Sequence, residues 1–592
     1  MFRFVPDRWI ATVQVMLEKD PGRPWVHRFR IIELFDAQVN AGFQIFIGRR
    51  MIYNAVDRSL LHDASYGSTP GRTCQEACIQ RTLMMDMMRL MRKVGGLFDC
   101  DATGCYDRIL PAFQSLHTRR MGLSKEISTF VAKLMFKCRR YVKTKYGVSD
   151  EYIQSTVDEV LYGIGQGNGG GPGMWVSQLT VMFQVVQKIA VGIKFKVPTL
   201  EEVYETVGLG FVDDVALGTS IEDEAVVHQI DQATEATKDM AQKWEILLHT
   251  NGSKLELSKF FWIIFAWGWR GGKPKLKKKQ EIWTEMKIRQ SSDGKKILIP
   301  LKDVDKAPKR LGVRMAANGL WTKEIKRWQH TAILFARKVQ RAKFSRMAGW
   351  KTYSMIWAAK FRYVAGTIGM TRKECDDLQK PVVRECLRAS GFCSTFPRWV
   401  VFGPTDLGGL EWDNAHSLKC TKQIKVIFGH FRMESHLGML MKIELMTVNL
   451  MAGLTDCILQ QSERVEYLEP SWFRSLHYSL VAIGGTIDTF GIWQQNKQRE
   501  GDEFIMEVAR NTGRSEEEML SLNLCRIYLR CITLADIYNY EGTRIRMDII
   551  SCKKQQKSKL QWPRQKKPTV AMRERWKFFL LELVEEKGFA FT

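Results

Sequence analysis

Between residues 208 and 218 the chain reads GLGFVDDVALG, with β-branched and aromatic residues on both sides of two adjacent carboxylates, Asp213 and Asp214. The pattern predicts a hairpin with 212–214 at its tip. Like charges side by side in a half-buried hairpin repel each other and lose hydration, so the arrangement needs a positive partner, and a divalent cation is the simplest. A solvated turn is the competing reading. The chain has another such doublet at Asp376 and Asp377, so the pair gains meaning only from its surroundings.

Composition narrows those surroundings. At 592 residues the chain is too long for one compact unit and is expected to hold three or four, at ~150 residues each. Its 45% hydrophobic and 11% aromatic content excludes wholesale disorder. The 89 Lys plus Arg against 64 Asp plus Glu leave a formal charge of +25, a surplus suited to a polyanion. No apolar run has the length of a membrane span, and the start MFRFVPDRWIATVQ lacks the apolar core of a signal peptide. The expectation is an intracellular protein, nuclear and cytoplasmic, with no membrane partner. Thirteen Cys occur without a CxxC pair, and the close spacings Cys74–Cys78 and Cys100–Cys105 have no nearby His. Neither a zinc knuckle nor a disulfide framework is supported, and packed, reduced thiols are the default.

Along the chain, LEKDPGRPWVHRFRIIELFD predicts two strands joined by a basic Pro/Gly turn, and EACIQRTLMMDMMRLMRKV a helix whose Met residues pack a core. GGLFDCDATGCYDRIL reads as a short buried strand that ends in a turn, with Asp99, Asp101 and Asp107 near its end. A helix-rich stretch to about Asp158 includes the basic FKCRRYVKTKYG, and the Gly-dense LYGIGQGNGGGPGMW then opens another helix. A long helix after the Asp doublet leads to the strand-like NGSKLELSKFFWIIFAWGW. RGGKPKLKKKQ is expected to be a charged surface loop at a domain boundary. From about Arg310 onward the chain is largely helical, and CKKQQKSKLQWPRQKKPT reads as a flexible basic tail, either a polyanion contact or an import signal. No internal repeat is visible.

Each segment is weak alone, but their order is informative. Asp101 ends one strand, a Gly-rich turn opens a helix some sixty residues on, and Asp213 and Asp214 cap a hairpin beyond it. Brought together, these carboxylates could hold two Mg²⁺ ions about 4 Å apart, with Mn²⁺ as a substitute, as nucleotidyl transfer to a primer 3′-hydroxyl requires. Asp99 and Asp107 read instead as strand-end or cap acids.

These residues resemble the reverse transcriptases of non-LTR (LINE-like) retrotransposons. DATGCYDRI is similar to the family's first catalytic motif, which makes Asp101 a metal ligand and Tyr106 the aromatic gate against a ribose 2′-hydroxyl. GIGQGNGGGP resembles the Gly-x-Pro-Gln-Gly-Ser motif, with Gln166 and Gly167 in place, and FVDD resembles the aromatic-x-Asp-Asp signature. LEKDPGRPWVHRFRIIEL is similar to the segment whose Lys19 and Arg30 reach the incoming triphosphate; YGSTPGRTCQEA to the template-side segment with Gly67 and Arg72; GSKLELSKFFW to the segment carrying Lys259; and KRLGVRMAANG to the primer-grip turn at Leu311 and Gly312. Gly165 stands where the family usually has Pro, Asn168 and Gly171 replace Ser, and Ile31 replaces a Pro, so the Gly-rich turn is expected to be floppier.

The resemblance runs from about residue 15 to 415. It implies a mixed α/β (α+β) right-hand polymerase fold: fingers at 1–98, a palm of antiparallel strands packed on helices at 99–270 with a finger-type insertion at about 111–160, and a helical thumb or connection at 271–415. A helical C-terminal region with the basic tail is expected at 416–592. The implied activity is RNA-directed DNA synthesis, and the implied partners are an RNA template, a DNA primer and dNTPs. No endonuclease precedes the finger segment, so a fragment or shortened reading frame is expected. Three alternatives stay open: a catalytically dead relic that binds RNA, an RNA-dependent RNA polymerase and an intron maturase. Val212 and Tyr106 argue against the RNA polymerase, and the Cys spacing gives the maturase no support.

Overall fold

The basic N-terminal segment forms a hairpin of β1 (Ala11–Glu18) and β2 (Phe29–Leu34), with Val13 opposite Leu34 and Glu18 opposite Phe29. It belongs to a computed structural model that describes all residues except 1–4, 20, 21, 23, 24, 26–28, 162, 199–201, 223–227, 490, 492–496, 588, 589 and 592. Most of the expected Pro/Gly turn therefore lies outside the described residues. The Met-rich stretch is a helix, Cys74–Leu90, started by a capping box in which Thr73 and Glu76 satisfy each other's backbone donors.

β3 (Gly95–Thr103) follows and is buried at every position from Gly95 to Ala102. Basic FKCRRYVKTKYG corrects the helical expectation, because β4 (Arg139–Thr144) and β5 (Gly147–Ile153) are an antiparallel pair and β4 lies parallel to β1. The four strands make one sheet in the order β2-β1-β4-β5. Charge hid the strand period here: Arg140 is buried because it pairs with buried Glu33 at 3.2 Å across the sheet. The insertion after residue 111 thus joins the N-terminal sheet.

β6 (Ile193–Lys196) and β7 (Val203–Thr206) form a small hairpin. β8 (Gly208–Phe211), β9 (Asp214–Ser220), β10 (Lys254–Leu255) and β11 (Phe261–Phe265) complete an antiparallel sheet around β3. Because β3 is buried on both faces, its side chains sort alternately into two cores. Leu97 packs in one with Leu209, Ala216 and Ile263, while Phe98 and Cys100 pack in the other with Val215, Leu217 and Trp262. Met88 of the Cys74–Leu90 helix meets the first face, and Thr237 of the Gln229–Thr250 helix meets the second. A Cβ on Gly95 would lie 2.8 Å from Met88 Cε, and one on Gly96 2.1 Å from Thr237 Oγ1. Two adjacent glycines let both helices close on the sheet, and each large apolar side chain so buried contributes ~1.5–3 kcal/mol.

RGGKPKLKKKQ departs from its expected loop. β12 (Trp267–Arg270) and β13 (Lys273–Leu276) pair across Gly271 and Gly272, both at positive φ, which is the two-residue turn that suits a hairpin. A second hairpin, β14 (Met286–Arg289) and β15 (Lys296–Ile299), precedes the short β16 (Lys309–Arg310) and β17 (Val313–Arg314). Beyond these the chain is mainly helical, including Thr322–Arg341, Arg372–Ala389, Ala415–Arg432 and His436–Ala452. The basic stretch near the end is not a flexible tail. It lies as an extended strap on the back of the β3 sheet's helices: Arg92 donates to Arg564 O at 2.8 Å, Arg564 donates to Gln229 at 2.6 Å, and Trp562 is buried. A helix, Val570–Lys587, follows it. Among the described residues no helix is long and apolar enough to cross a membrane.

Candidate active site

One face of β3 changes character along its length. Leu97 is in the core, Asp99 two residues on is ion-paired, and Asp101 two further on reaches a cleft. Asp101 stands directly opposite Asp214 of β9, and directly opposed residues of an antiparallel pair hold their Cβ atoms ~4.5–5.5 Å apart. Phe211 pairs with Asp214, which leaves Val212 and Asp213 as the two-residue turn. Val212 sits at φ +56°, where a β-branched residue is rarely found. Its carbonyl is held by Trp175 Nε1 at 2.7 Å, and Gly67 lies so close that a Cβ there would be 2.5 Å from Val212 N. Gly67 therefore supports the hairpin tip from beneath.

The acids are partly neutralised by cations of the chain. Lys259 contacts Asp101 Oδ2, and Arg310 donates to Asp214 Oδ1 at 2.7 Å. Asp99 is held by Arg81, 2.7 Å from Nη2 to Oδ2, with Arg310 Nε 3.5 Å from its other oxygen. It is a structural acid, as expected from its place in the strand. Burial pushes the carboxyl of Asp213 up to about 6, helped by the charges of Asp101 and Asp214. Burial raises Asp214 as well, against the pull of Arg310. Desolvation opposes the ammonium of Lys259, but the hydrogen bond and charge of Asp101 outweigh it and keep Nζ protonated. Asp101 Oδ1 is buried with no hydrogen-bond partner. An orphaned carboxylate oxygen beside two further acids suits a hard cation such as Mg²⁺ or Mn²⁺.

The cleft beside the acids is open to solvent and has a volume of about 800 Å³. Asp101, Asp213, Lys259, Lys19, Arg30, Tyr106 and Gln166 all line it. Lys19 and Arg30 are exposed at the open side, on the β1–β2 hairpin. Tyr106 sits in the turn after β3, its ring 6.4 Å from that of Trp175 and its carbonyl accepting from Ile164 N at 2.8 Å. Gln166 and Gly167 belong to the Gly-rich turn, which is pinned rather than loose. Gln166 O accepts from Glu33 N at 2.7 Å, Asn168 donates to Ile164 O at 3.0 Å, and Gly170 N donates to the Asn168 side chain at 2.8 Å. Gly165 has φ +75°, and a Cβ there would meet Glu33 Oε2 at 2.5 Å, so Pro cannot stand at this position.

Other expected residues lie outside the cleft lining. Arg72 uses Nη1 on the carbonyls of His62, Asp63 and Ser65 at 2.7–3.1 Å and Nη2 on Asp63, so its guanidinium is engaged in holding the loop that carries Gly67. Leu311 and Gly312 form the turn between β16 and β17, both at positive φ, with Leu311 O accepting from Tyr363 OH. Sequence reasoning missed Arg81 and Arg310. Their signals were faint: a lone Arg inside a Met-rich buried helix face, and a cation immediately before a turn already singled out.

No protein-family model and no curated protein sequence matches the chain. Among solved structures, it aligns with apo telomerase from Candida tropicalis at 11% identity and a TM-score of 0.34, over 75% of this chain and 68% of that one. It also aligns with telomerase from Candida albicans in complex with a TWJ fragment of telomeric RNA, at 10% identity and a TM-score of 0.30, over 74% of this chain and 66% of that one. The second alignment spans just under two thirds of that structure's chain.

Proposed function

We propose that the chain is an RNA-directed DNA polymerase of retroelement type, which transfers a nucleotide from a dNTP to a primer 3′-hydroxyl. The observation that carries this reading is the meeting of Asp101, Asp213 and Asp214 at one strand-and-hairpin end, beside a cleft shared with Lys19, Arg30, Tyr106 and Gln166. Asp101, Asp213 and Asp214 would hold magnesium, which would supply Lewis-acid activation of the primer hydroxyl and neutralise charge at the reacting phosphate. Lys19 and Arg30 offer charge-assisted hydrogen bonds to a triphosphate that the acids would otherwise repel. Lys259, held protonated beside Asp101, offers an ammonium for the charge of the leaving pyrophosphate.

Tyr106 fits the role of a wall under the sugar, where a 2′-hydroxyl would collide with its ring. Gln166 carries both a donor and an acceptor for a base or sugar edge at the cleft wall. In this reading the sheet around β3 is the palm, the β2-β1-β4-β5 sheet the fingers, and the helices after residue 321 the thumb. The +25 charge suits a nucleic-acid duplex held through its phosphates.

Primer extension on poly(rA)/oligo(dT) with Mg²⁺ tests the reading. Asp213→Asn is expected to lower extension by several orders of magnitude with the fold intact. Extension at the parent rate by that variant would remove the site assignment. Parallel reactions with rNTPs and with a DNA template separate the reverse transcriptase from an RNA polymerase, and RNA binding without extension by the parent would favour the relic.

A further inference from the structure

Arg310 has two hydrogen-bond acceptors at its guanidinium and a looser ion pair at Nε, which makes no hydrogen bond. Nη1 donates to Asp214 Oδ1 at 2.7 Å, Nη2 to Lys259 O at 2.9 Å, and Nε lies 3.5 Å from Asp99 Oδ1. The guanidinium carbon also sits 5.0 Å from the centre of the Phe261 ring, and the side chain is only 10% exposed. Its backbone is equally fixed. Arg310 is the last residue of β16, opposite Val313, and the following turn is locked by Tyr363, whose OH bonds Leu311 O and whose ring leaves no room for a Cβ on Gly312.

The other cation at the acids is held differently. Lys259 has a single side-chain partner, Asp101, and its side chain is 59% exposed, so it can swing out when a cation arrives. Arg310 cannot leave without breaking its hydrogen bonds to Asp214 and to the Lys259 carbonyl at once, whereas Asp99 keeps Arg81. Three carboxylates with one permanent guanidinium present a divalent ion with two net negative charges instead of three.

On the polymerase reading above, we infer that Arg310 is a positioning residue that fixes Asp214 opposite Asp101 and holds down the affinity of the acid trio for divalent cations. Weak ion affinity has a use in such a site, because ions that bind with the nucleotide and leave with pyrophosphate must not be trapped between turnovers. The link through β16 also couples Asp214 to the Leu311–Gly312 turn, so a shift of that turn moves an acid.

Mn²⁺ titration of the full-length chain without nucleic acid, read by electron paramagnetic resonance of the free ion and by the ion-induced rise in unfolding temperature, tests the inference. Arg310→Gln removes the charge but keeps an amide for the Lys259 carbonyl, and is expected to bind Mn²⁺ at least about fivefold more tightly than the parent. Its kcat for primer extension is expected to fall with the KM for dNTP little changed. Arg310→Lys keeps the charge but not the fork, so it is expected to retain the parent's Mn²⁺ affinity and still lose kcat. Unchanged or weaker Mn²⁺ binding by Arg310→Gln would overturn the inference, as would full kcat in Arg310→Lys. Should the parent fail to extend a primer while Arg310→Gln still tightens Mn²⁺ binding, the polymerase reading falls and the role of Arg310 stands.

Discussion

Tyr106 shows how a residue acquires a role from what surrounds it. Burial pushes its phenol well above the usual range. Trp175 at its edge and Gly171 close by, where even a Cβ would stand 3.6 Å from the ring, limit where the ring can go. Tyr106→Ala is expected to raise ribonucleotide incorporation relative to deoxyribonucleotide by about tenfold to a hundredfold. Competition between dGTP and rGTP on an rC template measures it, and equal discrimination in variant and parent would place the gate elsewhere. Arg81 and Asp99 illustrate the opposite case, a pair of charges with no reach to the cleft. Their bidentate contact neutralises a carboxylate that β3 has to bury, and it leaves Asp101, two residues on, as the acid facing the cleft.

Elements set the reach of these side chains. The Gly-rich turn before the Gly171–Ile189 helix needs left-handed backbone at Gly163, Gly165 and Gly167 to pass between Asp107 and Glu33. The Gly and Asn residues of this turn do not leave it loose, because Asn168 closes the loop with its own side chain and Glu33 N ties it to β2. Gly165→Pro is expected to destabilise the fold by about 3 kcal/mol, since Pro fixes φ near −65° and its ring meets Glu33 and Phe35. The midpoint of urea unfolding reads this directly; a midpoint equal to the parent's would show that the turn can change hand.

At the scale of the whole molecule, the strap at 552–569 and the helix after it tie the C-terminal helices to the back of the central sheet. The core cluster on that side runs from Tyr66 to Leu583. Buried imidazoles are spread through the structure: burial holds His117, His416 and His477 down to about 4. Each is neutral in the fold, whereas the unfolded chain takes up a proton below about 6.5, so each contributes stability that is lost as pH falls from about 6.5 to about 4. Asp213 and Asp214, raised by burial, work in the other direction, so the effect is read as a difference between variant and parent. His477→Gln is expected to gain on the parent across that window by about 3 kcal/mol in total. A gap independent of pH would mean that His477 is protonated in the fold.

By itself the amino-acid order determined the short buried strand at β3, the helix at Cys74–Leu90 and the hairpin that puts Asp213 at a tip, because these follow from local periodicity and turn chemistry. It also marked Asp101, Tyr106 and Gln166 by their resemblance to known motifs. What only the tertiary structure decided is the company those residues keep. Arg140 could be a strand residue only once Glu33 neutralised it, the basic end of the chain became a strap only by finding Arg92 and Gln229, and Arg310 reached Asp214 from 96 residues away. Charge is neutralised by whatever the fold brings within a few ångströms, and that distance is not written in sequence spacing.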